Sequence, residues 1–149
     1  MTHAVSGLGM TSQRTRTRMI ERLRSEGIRN ERVLAAIAAV PRHLFVEEAL
    51  ASRAYEDSAL PLGFAQTISQ PYVVAHMIEI LLEGRKLGKT LEVGAGSGYQ
   101  AAVLAQLTPE VYAVERIEPL LARAKLNLRA IREFRVRLKY ADGALGLPE

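Results

Sequence analysis

The 149-residue chain has the length of one domain, and its 48% hydrophobic and 24% charged residues describe a globular protein rather than a disordered or membrane-embedded one. A fold of this size buries roughly 70% of the surface that its unfolded chain exposes, enough for a true core. The absence of cysteine excludes disulfide frameworks, thiol nucleophiles and cysteine-based zinc sites, and no apolar run approaches the ~20 residues of a membrane span.

Residues 1–12 lack the basic start and continuous apolar stretch of a secretory signal, so a cytoplasmic address without a membrane partner is expected. Residues 1–13, small and polar with two glycines, are expected to form a loose tail. The formal charge of +4 is uneven, because Gln13 to Arg32 holds seven arginines (Arg14, Arg16, Arg18, Arg22, Arg24, Arg29, Arg32) against Glu21, Glu26 and Glu31. Such a segment could meet nucleic acid. No aromatic platform interleaves it, however, and Arg22 stands four residues before Glu26, which suits a solvated helix face with no nucleic-acid partner.

The first helix is predicted over Arg14 to Glu26, with Met19, Ile20 and Leu23 on one face and Gly27 as its stop. A second follows Asn30, a good cap, and carries Val33, Leu34, Ile37 and Val40 at helical spacing up to Pro41. The next segment, PRHLFVEEAL, offers Leu44, Phe45 and Val46 to the core. Tyr55 to Gln70 lacks a sustained period and reads as a long ordered loop with room for short strands, a length that usually marks function. Pro71 opens a third helix, with Ser69 or Gln70 as its cap and Val74, Met77, Ile78, Leu81 and Leu82 as its apolar stripe. The chain then alternates. Thr90 to Val93, Val111 to Glu115 and Val136 to Ala141 read as strands, and Tyr99 to Leu107 and Pro119 to Ile131 as helices, a βαβαβ run that favours a parallel sheet.

Gly94, Gly96 and Gly98 fall at the first strand-to-helix turn, where a backbone without Cβ atoms can approach a ligand. Glu115 ends the next strand, placed to accept bonds from ribose hydroxyls, and Asp142 with Gly143 ends the third. Strand ends of an open α/β sheet share one crevice, so Gly94, Glu115 and Asp142 are expected to face it from three neighbouring tips. Asp142–Gly143 also reads as a simple turn. No Gly-Lys-Ser/Thr follows the glycines, which rejects a triphosphate loop, and the third glycine comes one residue too early for a dinucleotide fingerprint. A nucleoside cofactor without phosphates fits the spacing better. His3, His43 and His76 have no paired ligand at metal spacing and read as packing or surface residues, with no metal expected.

LEVGAGSGYQAAVLAQL, VYAVER and YADG resemble the cofactor motifs of class I S-adenosylmethionine-dependent methyltransferases. VPRHLFV, AYEDSALPLGFAQTISQPYVVAHM and GSGYQAAVLA together resemble protein-L-isoaspartate O-methyltransferases, with QTISQP the most specific stretch, and the likeness runs from about Arg14 to the end. The resemblance implies a Rossmann-like, doubly wound, mostly parallel α/β sheet preceded by N-terminal helices. It implies S-adenosyl-L-methionine as methyl donor, and protein or peptide substrates whose L-isoaspartyl carboxylates are methylated in protein repair, by a monomer. Ser69 is implied as the active-site residue, itself beside the cofactor. Thr67, Ile68, Glu92, Gly94, Gly96, Gly98, Glu115, Arg116, Asp142 and Gly143 are implied as its other contacts. The division expected is a tail at 1–13, a helical and substrate-loop region at 14–88, and a partial cofactor-binding region at 89–149.

Members of the family continue for about another third of their length, so the fold is expected to stop after its third strand and to leave Thr90 to Val93 with an unpaired edge. Two readings follow: a partial sequence of a working methyltransferase, or a truncated product that is inactive alone. A methyltransferase for another acceptor is the further alternative.

Overall fold

The computed structural model describes Val5 and residues 7–148. Helix α1 (Gln13–Ser25) begins where the Ser12 hydroxyl accepts the Thr15 amide, and it turns Met19 and Leu23 into the core. The tail expected over 1–13 lies partly outside the described residues; within them Gly9–Thr11 forms a 3-10 turn ahead of this cap. The arginine face is only partly solvated. Arg24 pairs with Glu31 at the surface, 3.0 Å apart, but Arg16 is buried and donates to the carbonyls of Ala38 and Val5. Ala38 lies in the last turn of the next helix, where carbonyls have no intrahelical partner and a long guanidinium can satisfy them.

Helix α2 (Glu31–Ala39) is capped by the Asn30 side chain, which accepts the amides of Arg32 and Val33, and it buries Val33, Leu34 and Ile37 as its periodicity predicts. PRHLFVEEAL becomes two 3-10 turns, Arg42–Phe45 and Glu48–Arg53. His43 is buried with its Nδ1 2.8 Å from the Tyr55 hydroxyl, a packing role.

The long loop contains an antiparallel hairpin of β1 (Leu60–Gly63) and β2 (Gln66–Ile68), with Leu60 opposite Ile68. Its two-residue turn, Phe64 and Ala65, has φ of 55° and 56°, the left-handed backbone that matches strand twist but penalises side chains with a Cβ. Helix α3 (Pro71–Leu82) follows, with Pro71 in its first turn; of the two caps expected, Gln70 holds the N-cap position, though no side chain bonds to the helix's free amides. The stripe on α3 is narrower than its pattern suggests. Val74, Ala75, Ile78 and Leu82 pack inward against α1 and α2, while Met77 and Leu81 remain exposed beside Val73 and Ile80.

Strands β3 (Thr90–Val93), β4 (Val111–Glu115) and β5 (Val136–Tyr140) form one parallel sheet in the order β3-β4-β5, joined by helices α4 (Tyr99–Leu104) and α5 (Glu118–Ala130). Central β4 is buried along its whole length, as a strand paired on both sides should be. Among the described residues β3 pairs on one side only, and Val93 on its outer face is 61% exposed. One apolar cluster runs from Met19 through Ile78 to Leu128, so helices, hairpin and sheet share a core.

Candidate functional site

Every βα turn of a parallel sheet opens at the same end, which here gathers the ends of β3, β4 and β5. After Val93 the chain passes through Gly94 and Gly96, at φ 85° and 57°, and no atom lies within 4 Å of the place a Gly94 Cβ would take. That open space is the floor of a cleft whose wall is the hairpin. Thr67, Ile68 and Ser69 share a cavity of about 70 Å³ with Glu92, Gly94 and Gly96.

Two arginines, one half-buried and one fully buried, bond to the backbone of the hairpin end. Arg123 of α5 donates to the Leu62 carbonyl at 2.6 Å. Arg42, with no exposed surface, donates to the carbonyls of Ala54 and Ser69 at 2.7 and 2.9 Å and lies 4.8 Å from the Tyr99 ring. Burial lowers its pKa, an effect that the neighbouring Tyr99 opposes.

A second cavity, of about 210 Å³, shares Thr67, Gly94 and Gly96 with the first and is bounded by Glu115, Arg116, Asp142 and Gly143. The single crevice expected from the strand tips is thus a cleft in two halves: Ser69 stands with Gly94 in one, Glu115 and Asp142 in the other. Glu115 is buried and its carboxyl is engaged, Oε1 by the Gly96 amide at 2.9 Å, Oε2 by the amides of Arg116 and Ile117 at 2.8 and 3.0 Å. Carboxylate oxygens offer about four lone-pair sites, so capacity remains for a ligand hydroxyl. Asp142 accepts the Ala144 amide, making the turn that its sequence also suggested, and still lines the cavity. A Cβ on Gly143 would stand 2.0 Å from Val93 Cγ1, so that close approach requires glycine.

Gly98 lines neither half. Its φ is 91°, and a Cβ there would come within 3.3 Å of Ala124 and 3.4 Å of Leu128, so the third glycine serves the packing of α5 on the start of α4.

Sequence reasoning passed over Gln66 and Ile117 in the larger half, and Ser97, Tyr99 and Gln100 in the smaller one. The last two follow the glycines directly in the first helical turn, a position that was the available signal. The smaller half also gathers buried polar atoms without a partner: Glu92 Oε2, Ser97 Oγ and the Tyr99 hydroxyl. Burial, and secondarily the charge of Glu115, push the Glu92 carboxyl up to about 8. Orphaned polar atoms around one cavity fit a polar ligand that would satisfy them.

Comparison with known proteins agrees with this architecture. The family model for protein-L-isoaspartate(D-aspartate) O-methyltransferase matches residues 14–149. A protein-L-isoaspartate O-methyltransferase of Dechloromonas aromatica is 77% identical over 144 residues, which cover 96% of this chain and 67% of that protein. A solved protein-L-isoaspartate O-methyltransferase superimposes with a TM-score of 0.78 at 27% identity, over 89% of this chain and 44% of that one. A Plasmodium falciparum chain solved in complex with S-adenosyl-L-homocysteine shares the fold with a TM-score of 0.69 at 20% identity, over 83% of this chain and 62% of that one. The chain spans about two thirds of the length of the curated relatives it matches. Matched by that family model over residues 14–149 and 77% identical to a curated member, the chain belongs to the protein-L-isoaspartate(D-aspartate) O-methyltransferase family.

Proposed function

We propose that this chain carries the donor site and the acceptor-holding hairpin of a methyltransferase that esterifies the free carboxylate of L-isoaspartyl residues in damaged proteins. The observation that carries the reading is the shared cavity of Ser69 and Gly94, which brings the QTISQP segment against the glycine turn. S-adenosyl-L-methionine, when bound, supplies a methyl group on a positively charged sulfur. Its amino-acid end suits the smaller half, by Glu92, Gly94 and Gly96, and its ribose and adenine suit the larger half, by Glu115, Arg116, Asp142 and Gly143.

An aspartyl-type carboxylate, with a pKa of about 3.9, is already ionised at neutral pH, so the acceptor oxygen needs no general base to attack the methyl carbon. The protein's share is therefore positioning and exclusion of water. The Ser69 hydroxyl donates to the incoming carboxylate without taking a proton, and Thr67 and Ile68 wall the path between donor and acceptor. Arg42, bonded to the Ser69 carbonyl, keeps that residue in place.

The test is methyl ester formation on an isoaspartyl peptide, dependent on S-adenosylmethionine and absent from the matched aspartyl peptide. Transfer to other acceptors alone would reject the substrate assignment. The same reading treats the protein as a cytoplasmic monomer, which light scattering on the purified chain checks for oligomeric state. Among the described residues no helix is long and apolar enough to cross a membrane.

Among the described residues β3 pairs on one side only, which favours a second reading, in which the chain binds the donor but does not turn it over. Calorimetric binding of S-adenosylhomocysteine without ester formation would support it.

A further inference from the structure

Arg42 is a cation with no exposed surface, and what bonds to it is backbone rather than a carboxylate. Its Nε donates to the Ala54 carbonyl at 2.7 Å and its Nη2 to the Ser69 carbonyl at 2.9 Å, while its Nη1 has no hydrogen-bond partner. Burying a guanidinium without a counter-ion is costly, and neutral donors satisfy carbonyls for less. The charge calls for a further account. Its Cζ lies 4.8 Å from the centre of the Tyr99 ring, and Phe45, from the same 3-10 turn as Arg42, meets that ring edge-on at 5.6 Å. Tyr99, itself buried, opens α4 directly after the glycine turn and lines the smaller half of the cleft together with Gly94, Gly96 and Ser69. Arg42 therefore touches both walls of one cavity, the hairpin wall through the Ser69 carbonyl and the glycine-turn wall through the Tyr99 ring.

We propose that Arg42 is a positioning residue that couples these walls: it sets the Ser69 segment according to where the first turn of α4 lies, so that a donor seated on the glycine turn fixes the hydroxyl that meets the acceptor carboxylate. The inference rests on the cofactor reading above. Its physical basis is the shape of the guanidinium, a rigid planar fork, so a shift of the ring that faces the charge moves the bonds to Ala54 and Ser69 together. An ammonium lacks that fork. It keeps the charge but turns freely, and its bonds do not share one direction. Ser69 is exposed and α3 starts two residues later without a side-chain cap, so the bond from Arg42 is the one that anchors this residue. Loss of the coupling should leave donor binding nearly intact and free the hairpin end from its influence.

The experiment is amide hydrogen exchange of the chain with and without saturating S-adenosylhomocysteine, read at Thr67 to Ser69 and, as an internal reference, at Gly94 to Gly98. In the wild type the ligand should slow exchange at both places, by about fivefold or more in the hairpin, the lower end of usual coupling between sites. Arg42→Lys should keep the protection at the glycine turn and lose most of that at Thr67 to Ser69. Tyr99→Leu removes none of the hydrogen bonds of Arg42 and should uncouple the hairpin all the same, whereas Tyr99→Phe keeps the ring and should behave as the wild type. A purely structural Arg42 predicts another pattern: faster hairpin exchange in Arg42→Lys by the same factor with and without ligand, and no change in Tyr99→Leu. That pattern overturns the inference. So does wild-type protection confined to the glycine turn, or hairpin protection undiminished in both variants, which would mean that the ligand covers the hairpin directly. If Arg42→Lys does not fold, the Tyr99 pair decides alone. A folded wild-type chain that binds no S-adenosylhomocysteine overturns the cofactor reading itself, and this inference falls with it.

Discussion

Glu92 and Glu115 stand on neighbouring parallel strands, 8% and 6% exposed, at the same end of the sheet, yet their surroundings are opposite. Glu115 accepts three backbone amides, because the glycine turn after β3 and the turn after β4 both aim N–H groups at it. Glu92 lies on β3 and shares its cavity with Thr67, Ile68 and Ser69 of the hairpin, and its Oε2 receives nothing. The difference teaches that equal burial says little about a buried charge; what decides is whether the local backbone supplies donors. The acid of one half is answered by backbone donors, and an oxygen of the other half's acid is left without one.

The largest effect should come from the half whose acid is answered. Glu115→Ala strands the amides of Gly96, Arg116 and Ile117 at once, and unsatisfied buried donors cost roughly 1–3 kcal/mol each where water cannot replace the partner. Urea unfolding should show a loss of about 2–4 kcal/mol, the more exposed amides recovering part from solvent. Affinity for S-adenosylhomocysteine should fall a hundredfold or more. A loss below 1 kcal/mol would mean that Glu115 does not organise the turns and that the contrast with Glu92 is false.

Next comes the open half, where the sign depends on pH. The folded value of Glu92, about 8, lies above its ordinary 4.5, so the folded state binds the extra proton and its advantage is complete below pH 4.5. As pH rises through about 8 that advantage is lost, by up to a few kcal/mol, and the curve flattens above. Glu92→Gln removes the slope. It should match the wild type at pH 4 and exceed it at pH 9, measured as the difference between paired urea titrations so that other groups cancel. A wild-type advantage at pH 9 would show that Glu92 already has a partner.

A smaller effect is expected from the hairpin that covers Glu92. Phe64 and Ala65 occupy both left-handed positions of its turn, which glycine and asparagine fill without strain. Replacing Phe64–Ala65 by Asn-Gly should raise stability by about 1 kcal/mol in thermal unfolding. If the strain serves the site, turnover will fall as stability rises.

That turn also shows where the sequence was legible and where it was not. The βαβαβ run was readable because short strand-like runs alternate with amphipathic helices along the chain, and Val111–Glu115 and Thr90–Val93 match their predicted bounds. The hairpin could only be allowed for within a loop, since its turn lacks the Asn-Gly or Asp-Gly signal and its backbone is held by distant groups, Arg123 on the Leu62 carbonyl and Arg42 on the Ser69 carbonyl. Met77 and Leu81 carried the pattern of a core face but stayed outside, because an apolar stripe shows only that a surface can be covered. In the site, glycine spacing found the turn after β3 but could not separate Gly94, open to the cleft, from Gly98, pressed on α5, as both share a positive φ. Nor could it tell the two glutamates apart, since the amides that answer Glu115 belong to turns whose direction is set by the sheet.

The smallest stability effect is expected at Ser69, and its smallness is informative. A serine two residues before Pro71 has the look of a helix cap, a role whose loss typically costs about 1 kcal/mol. Yet α3 has no side-chain cap, and what Ser69 contributes to the fold is its carbonyl, bonded to Arg42 at 2.9 Å, which alanine would retain. Ser69→Ala should therefore change unfolding free energy by less than about 0.5 kcal/mol, the range of substitutions that break no structural feature. S-adenosylhomocysteine affinity should stay within a few fold, because the proposed donor site rests on the glycine turn and Glu115 rather than on this hydroxyl. Turnover of an isoaspartyl peptide should fall by about a hundredfold, the lower end of what losing one oriented donor costs a reaction. A stability loss near 1 kcal/mol with unchanged turnover would return the hydroxyl to the role of a cap and leave the acceptor carboxylate without a holder in this half of the cleft.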